Sequence, residues 1–233
     1  MIIYHGSKFI IENPKYGVGN KKNDYGLGFY CTENIELAKE WACINNESNG
    51  YANKYQIDIT DLRILDLTDK NYSILNWLAI LVNFRTFDTN NPISETAKKY
   101  LISNFYINIE EYDIIIGYRA DDSYFSFAKD FLNNMITLKQ LSRAMNLGGL
   151  GIHVVLKTQK AFDQIKFLNY EQAQSKEYYI KRVKRDKQAR EEYFNKCKKD
   201  FDINDLTMLD IIRRGIEHGD SFIWWNIPWY SSM

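Results

Sequence analysis

The sequence predicts an α+β fold. Apolar runs of strand length, among them Ile2 to His5, Gly28 to Thr32 and Tyr112 to Gly117, are interspersed with longer stretches of helical period such as Ile74 to Phe84. Length and composition agree with that class. With 233 residues, 45% of them hydrophobic, the chain can bury a real core, as one domain with an appendage or as two small ones. Its 30 Lys and Arg balance 30 Asp and Glu, so no global field draws it to nucleic acid or to an anionic membrane.

Ile2 to His5 forms a first strand closed by Gly6 and Ser7, and a loop rich in Gly, Asn and Lys leads to a second strand at Gly28 to Thr32. Thr32 or Asn34 caps the helix that follows. In that helix Ile35, Ala38, Trp41 and Ala42 share one face, and Glu36, Lys39 and Glu40 lie opposite, so Trp41 points inward. Strands are expected at Lys54 to Ile59 and Arg63 to Leu67, and helices at Ile74 to Phe84 and Ser94 to Phe105, the second entered through Pro92.

The Asp-Ile-Ile-Ile run marks Tyr112 to Gly117 as a buried strand, and it leads into Arg119, Asp121 and Asp122, polar residues just past a strand end and therefore site candidates. Residues 124 to 146 read as two helical pieces, broken by Gly148-Gly149-Leu150-Gly151 from a strand at Ile152 to Lys157, with a further strand at Gln164 to Leu168. From Glu171 to about Asp200 the chain lacks Gly and Pro, as one long helix would. Residues 181 to 199 carry nine Lys or Arg against three Asp or Glu. Such a run is usually a solvated face, and its alternative use is to steer a phosphate-rich partner such as RNA or DNA. A last helix, Thr207 to Glu217, ends at Gly219, and the aromatic tail Phe222 to Tyr230 is expected to dock on the body or on a partner.

Cys31, Cys43 and Cys197 lie far apart, with no CxxC or HxxxH spacing, so neither a zinc site nor a disulfide scaffold is expected. No stretch approaches the roughly 20 apolar residues of a membrane span, and the start has no signal-peptide pattern. A cytoplasmic protein is expected.

The chemistry-bearing residues cluster near the start: Tyr4-His5-Gly6-Ser7, then Gly26-Leu27-Gly28-Phe29-Tyr30, then Trp41 eleven residues after Tyr30. Taken singly, His5 reads as a histidine at a strand end, Tyr30 and Trp41 as core aromatics, and Gly26-x-Gly28 as a turn. In combination they are the types a pocket needs to hold the nicotinamide end of NAD.

These motifs together resemble the ADP-ribosyltransferase superfamily, in the branch of the poly(ADP-ribose) polymerases and diphtheria toxin. With Trp77-Leu78, Tyr112 to Gly117, Ala120-Asp121-Asp122 and Lys184-Arg185-Asp186 with Ala189-Arg190, the chain is more closely similar to the bacterial and phage DUF3990 family over most of residues 1 to 195. The resemblance implies a split antiparallel β-sheet flanked by helices, as an NAD-binding domain over residues 1–170 and a helical extension over 171–233. It implies mono-ADP-ribosyl transfer from NAD, as substrate, to a macromolecular acceptor, protein or nucleic acid, and an antitoxin as a plausible partner.

In the roles so implied, His5 bonds ribose hydroxyls, the Gly6 backbone grips the carboxamide with help from Ser7, Gly28 belongs to the strand that forms the cofactor pocket, Tyr30 stacks on one face of nicotinamide and Trp41 covers the other or walls the pocket. The superfamily's third member is usually a glutamate, sometimes another residue, near the start of a later strand, and the DUF3990 resemblance implies an acidic residue followed by Gln or the like just after a Leu-Gly. Here Leu150-Gly151 is followed by Ile152-His153. Three readings stay open: His153 supplies a hydrogen bond, Asp121 or Asp122 supplies the charge, or the chain binds NAD with little chemistry. NAD glycohydrolysis is a further rival.

Overall fold

The computed structural model describes residues 1–87, 91–120, 122–149 and 151–221, with the backbone alone for Asp122. The readings made on Asp121, Leu150, the Asp122 side chain and the tail from Phe222 lie outside the described residues. The architecture is mixed α+β. Its strands are β1 (Ile2–Ser7), β2 (Phe29–Cys31), β3 (Gly50–Ile57), β4 (Ile64–Asp66), β5 (Ile114–Tyr118), β6 (Ile152–Leu156) and β7 (Ile165–Ala173). The helices are α1 (Ile35–Ala42), α2 (Ile74–Phe84), α3 (Pro92–Phe105), α4 (Asp122–Leu132), α5 (Leu138–Ala144), α6 (Gln159–Asp163), α7 (Ser175–Glu192) and α8 (Met208–Arg214).

The backbone clusters into two compact units that interleave along the chain. One takes Met1–Thr68, Asn108–Arg119 and Gly149–Lys187; the other takes Asp69–Ile107, Ala120–Gly148 and the residues from Gln188. The boundary drawn from sequence at residue 170 falls inside β7.

The first unit holds both sheets, a three-stranded one in the order β1-β3-β7 and a four-stranded one in the order β2-β6-β5-β4. Pairing is antiparallel except between β4 and β5. Side chains alternate across each strand, so Ile3, Tyr55 and Ile57 from the first sheet meet Cys31, Ile114, Val154 and Leu156 from the second in one apolar cluster. Among the described residues, a single bridge, Tyr4 with Thr32, joins the two sheets.

In the second unit, α2 is apolar almost throughout, and Trp77, Leu78, Ile80 and Leu81 are fully buried. Phe127 stacks on Tyr193 at 4.0 Å, and the Tyr193 hydroxyl donates to Asp130. Among the described residues, no helix is long and apolar enough to cross a membrane.

Several boundaries differ from the sequence expectation for tertiary reasons. β3 starts at Gly50 and β7 runs on to Ala173, because the two strands pair from Gly50↔Ala173 to Ile57↔Ile165. That ladder takes residues 171 to 173 from the expected long helix, which starts instead at Ser175 and gives way to a π-turn at Tyr193–Cys197. The last helix ends at Gly215, whose φ of 65° supplies the left-handed cap expected of Gly219. Glu40, assigned to the solvent face of α1, is 3% exposed.

Candidate functional site

The site begins where β1 and β2 part. Tyr4 donates to the Thr32 carbonyl at 2.7 Å and accepts from the Thr32 amide at 2.9 Å. Backbone groups along a strand alternate in direction, so Gly6, two residues on, aims its N–H and C=O to the same side, away from β3. Continued past the bridge, the register sets Gly6 opposite Tyr30, where the strands no longer pair. This is a peptide edge with a donor and an acceptor side by side.

Gly6 also has a packing reason to be glycine. A Cβ there would stand 2.1 Å from the Ala38 carbonyl oxygen of α1. The capping that starts α1 fixes this contact: Asn34 Oδ1 accepts from the amides of Glu36 and Leu37, worth about 1 kcal/mol for a cap of this kind. Gly28 is likewise a packing glycine, since its Cβ would press on Val155 and on the Leu156 carbonyl of β6.

His5 lies beside the split. Its Nδ1 is 2.7 Å from the Tyr30 carbonyl, which can only accept, so Nδ1 carries the proton. Burial lowers the ring's pKa, opposed by that backbone bond. Neutral His5 therefore offers Nε2 as an acceptor. Its ring stacks on Phe29 at 4.3 Å. Ser7 turns its hydroxyl to the next loop, accepting from the Phe9 amide.

Tyr30 and His153 project from the other face of the four-stranded sheet. The Tyr30 hydroxyl donates to the Gly26 carbonyl at 2.6 Å and accepts from the Tyr25 amide at 3.1 Å, so the ring is anchored at its far end. His153 stands edge-on to Tyr30 at 5.2 Å and tilted to Trp41 at 5.0 Å. The Arg119 guanidinium lies 4.7 Å over the Trp41 ring. Thus Tyr30, Trp41 and His153 are brought together, while Asp122 opens α4 in the second unit.

His153 is 7% exposed, and burial, then the charge of Arg119, push its pKa down to about 3, with the Cys31 carbonyl pulling the other way. It is neutral at physiological pH. It can offer a hydrogen bond and no charge.

Four contributors were given no role of their own in the sequence reading, although Asp24 and Arg185 stand in the motifs it singles out. Asn53, fully buried, donates to the His5 and Phe9 carbonyls and accepts from the Ile11 amide, tying the loop after β1 to β3. Lys157 donates at 2.8 Å to the carbonyls of both Tyr25 and Leu27, clamping the loop that anchors Tyr30. Its position at the end of the apolar run Val154-Val155-Leu156 was the available signal. Asp24 is 5% exposed and its Oδ2 lies 3.8 Å from His153 Nε2. Arg185 of α7 grips Glu40 with two bonds of 2.8 Å and reaches the Gly149 carbonyl at 3.1 Å, holding the glycine turn before β6.

The basic run is thus partly spent on internal pairs, since Lys181 also bonds Glu36 and Glu177, and Lys198 bonds Asp130. Cys31, Cys43 and Cys197 are buried free thiols. Among the described residues, no group of three His, Cys, Asp or Glu is placed to hold a metal ion.

Comparison with known proteins finds no match among curated proteins or solved structures. A family model described as a protein of unknown function, DUF3990, matches residues 1–167, which carry the four-stranded sheet, β1 and β3 of the other, the β1–β2 split and the aromatic cluster, and stop within β7. The chain belongs to the DUF3990 family.

Proposed function

We propose that the chain binds NAD at the split between β1 and β2 and transfers its ADP-ribose to a macromolecular acceptor, releasing nicotinamide. The observation that carries this reading is the peptide edge of Gly6, set opposite Tyr30 where β1 and β2 have stopped pairing and without a backbone partner among the described residues, a donor and an acceptor side by side as a carboxamide requires. On this reading the two sheets joined at one bridge are the split sheet of the ADP-ribosyltransferase superfamily. His5 accepts from a ribose hydroxyl through Nε2, and Tyr30, its hydroxyl already bonded, presents a flat face for stacking worth about 1–3 kcal/mol. Positioning of this kind favours the strained, cationic sugar of the transition state over the ground state.

A second reading is favoured by one observation, the neutrality of His153 where the resemblance leads one to expect a carboxylate. It makes the chain an NAD-binding module with little turnover. With water as acceptor, the same site would act as an NAD glycohydrolase.

The test incubates the purified chain with NAD labelled in its ADP-ribose part and a cell extract holding protein and RNA, beside His5→Ala and Tyr30→Ala. Transfer by the parent and its loss in both variants is expected. Equal transfer by all three sinks the site. NAD binding without nicotinamide release selects the binding module, and free ADP-ribose formed as fast as nicotinamide selects hydrolysis. An antitoxin and a cytoplasmic setting belong to the same proposal, through its resemblance to toxin and phage-conflict factors.

A further inference from the structure

The order β1-β3-β7 leaves β7 at the rim of the three-stranded sheet. It is 9 residues long, and most of its side chains, Lys166 and those from Leu168 to Gln172, are exposed. Among the described residues, its backbone pairs with β3 alone. A bare edge of this length is a template for another strand.

The ladder with β3 carries an irregularity that matters here. Lys54 faces Asn169 and Tyr55 faces Phe167, so Leu168 is an extra, bulged residue. The bulge resets the alternation of side chains. Lys166, Asn169 and Glu171 face Gln56, Lys54 and Ala52 on one side of the sheet, whereas Phe167, Tyr170 and Gln172 face Tyr55, Asn53 and Tyr51 on the other. Lys166 and Glu171, an odd number of residues apart, thereby share a side.

We propose that β7 pairs antiparallel with β7 of a second copy, about a two-fold axis between Leu168 and Asn169. Lys166 of each chain then stands opposite Glu171 of the other, and Phe167 opposite Tyr170. Residues directly opposite in a ladder share a side of the sheet, and this register matches sides from Ile165 to Gln172, with the two bulges meeting at the axis. The charges are self-complementary, as an isologous contact requires. Lys166 makes no ion pair among the described residues, and Glu171, reached by Lys39 at 2.8 Å, stays exposed. A lysine on a strand edge ordinarily repels a second strand, but set opposite a glutamate it attracts one. Tyr170, edge-on to Tyr51 at 5.5 Å, adds an aromatic pair with Phe167 of the second copy. Strand pairing alone makes a small interface, below the roughly 1,200–2,000 Å² of stable complexes, so the dimer is weak and fills as concentration rises. β1 lies at the far edge of the sheet and takes no part, so the inference is independent of the NAD reading.

The test is sedimentation velocity of the full chain over a concentration series, for the parent, Lys166→Glu, Glu171→Lys, and an equimolar mixture of the two variants. The parent is expected to move from the monomer mass toward twice that mass. Each variant alone sets like charges opposite each other at both ends of the ladder and is expected to weaken association by about 30-fold. The mixture sets opposite charges in register again and is expected to associate within about threefold of the parent. Hydrogen exchange locates the contact: amides of β7 should slow as the parent dimer fills. A parent that stays monomeric, variants that associate as the parent does, a mixture that stays weak, or protection confined to other segments overturns the proposal. So does a monomeric parent whose β7 amides slow only in a cell extract, which gives the edge to a different protein. If Glu171→Lys, beside Lys39, does not fold by circular dichroism, Lys166→Glu and the exchange pattern decide.

Discussion

Acid should destabilise this protein through His153. The ring is 7% exposed and its pKa is held down to about 3, against 6.5 for a free imidazole. The native state therefore keeps it neutral while the unfolded chain takes up a proton first as pH falls. Stability from this group is fully present above 6.5 and is lost as pH drops toward 3. At pH 5, about 1.5 pH units below the free value, the loss is about 2 kcal/mol at about 1.4 kcal/mol per unit. In a chain of this length that lowers Tm by about 4–8 °C. The assay is thermal unfolding followed by near-ultraviolet circular dichroism at pH 7 and pH 5, on the parent and on His153→Gln, which keeps polarity and does not titrate. His5, also shifted downward by burial, adds acid sensitivity of the same sign to both proteins, so the difference between them isolates His153. An equal loss of Tm in the two would refute the burial argument.

Two further outcomes follow from packing. Gly6→Ala sets a methyl 2.1 Å from the Ala38 carbonyl and should cost about 1–3 kcal/mol in urea unfolding, whether or not NAD is present; an unchanged midpoint would mean that α1 does not rest on β1 as described. Arg185→Ala leaves Glu40 as an unpaired buried charge and should cost about 3–5 kcal/mol, most of it recovered in the double variant with Glu40→Gln. A single variant as stable as the parent would show that the pair carries no such weight.

Much of the local structure was legible. Pro92 starts α3 where its missing N–H costs nothing, and Asn34 caps α1. The inward Trp41 and the glycine break before β6 also read correctly, Gly148, Gly149 and Gly151 all having positive φ. Glu40 did not. Periodicity set it opposite the apolar face, and it is Arg185, distant in sequence, that makes its burial tolerable. The end of β7 was hidden for a similar reason, since Asn169 to Gln172 has little strand character and is a strand because β3 pairs with it.

Sequence alone determined the residue types of the site and their local frame: His5 and Gly6 on the first strand, Tyr30 on the second, Trp41 on the helix after it. Those follow from short-range periodicity and capping, which nearby residues settle among themselves. Tertiary structure decided what surrounds them. It turned the Gly6 peptide toward Tyr30, took the charge from His153 by burying it near Arg119, and brought Asp24 to its side. Burial and electrostatic coupling depend on groups far apart in the chain, and such groups meet only when the strands that carry them pair.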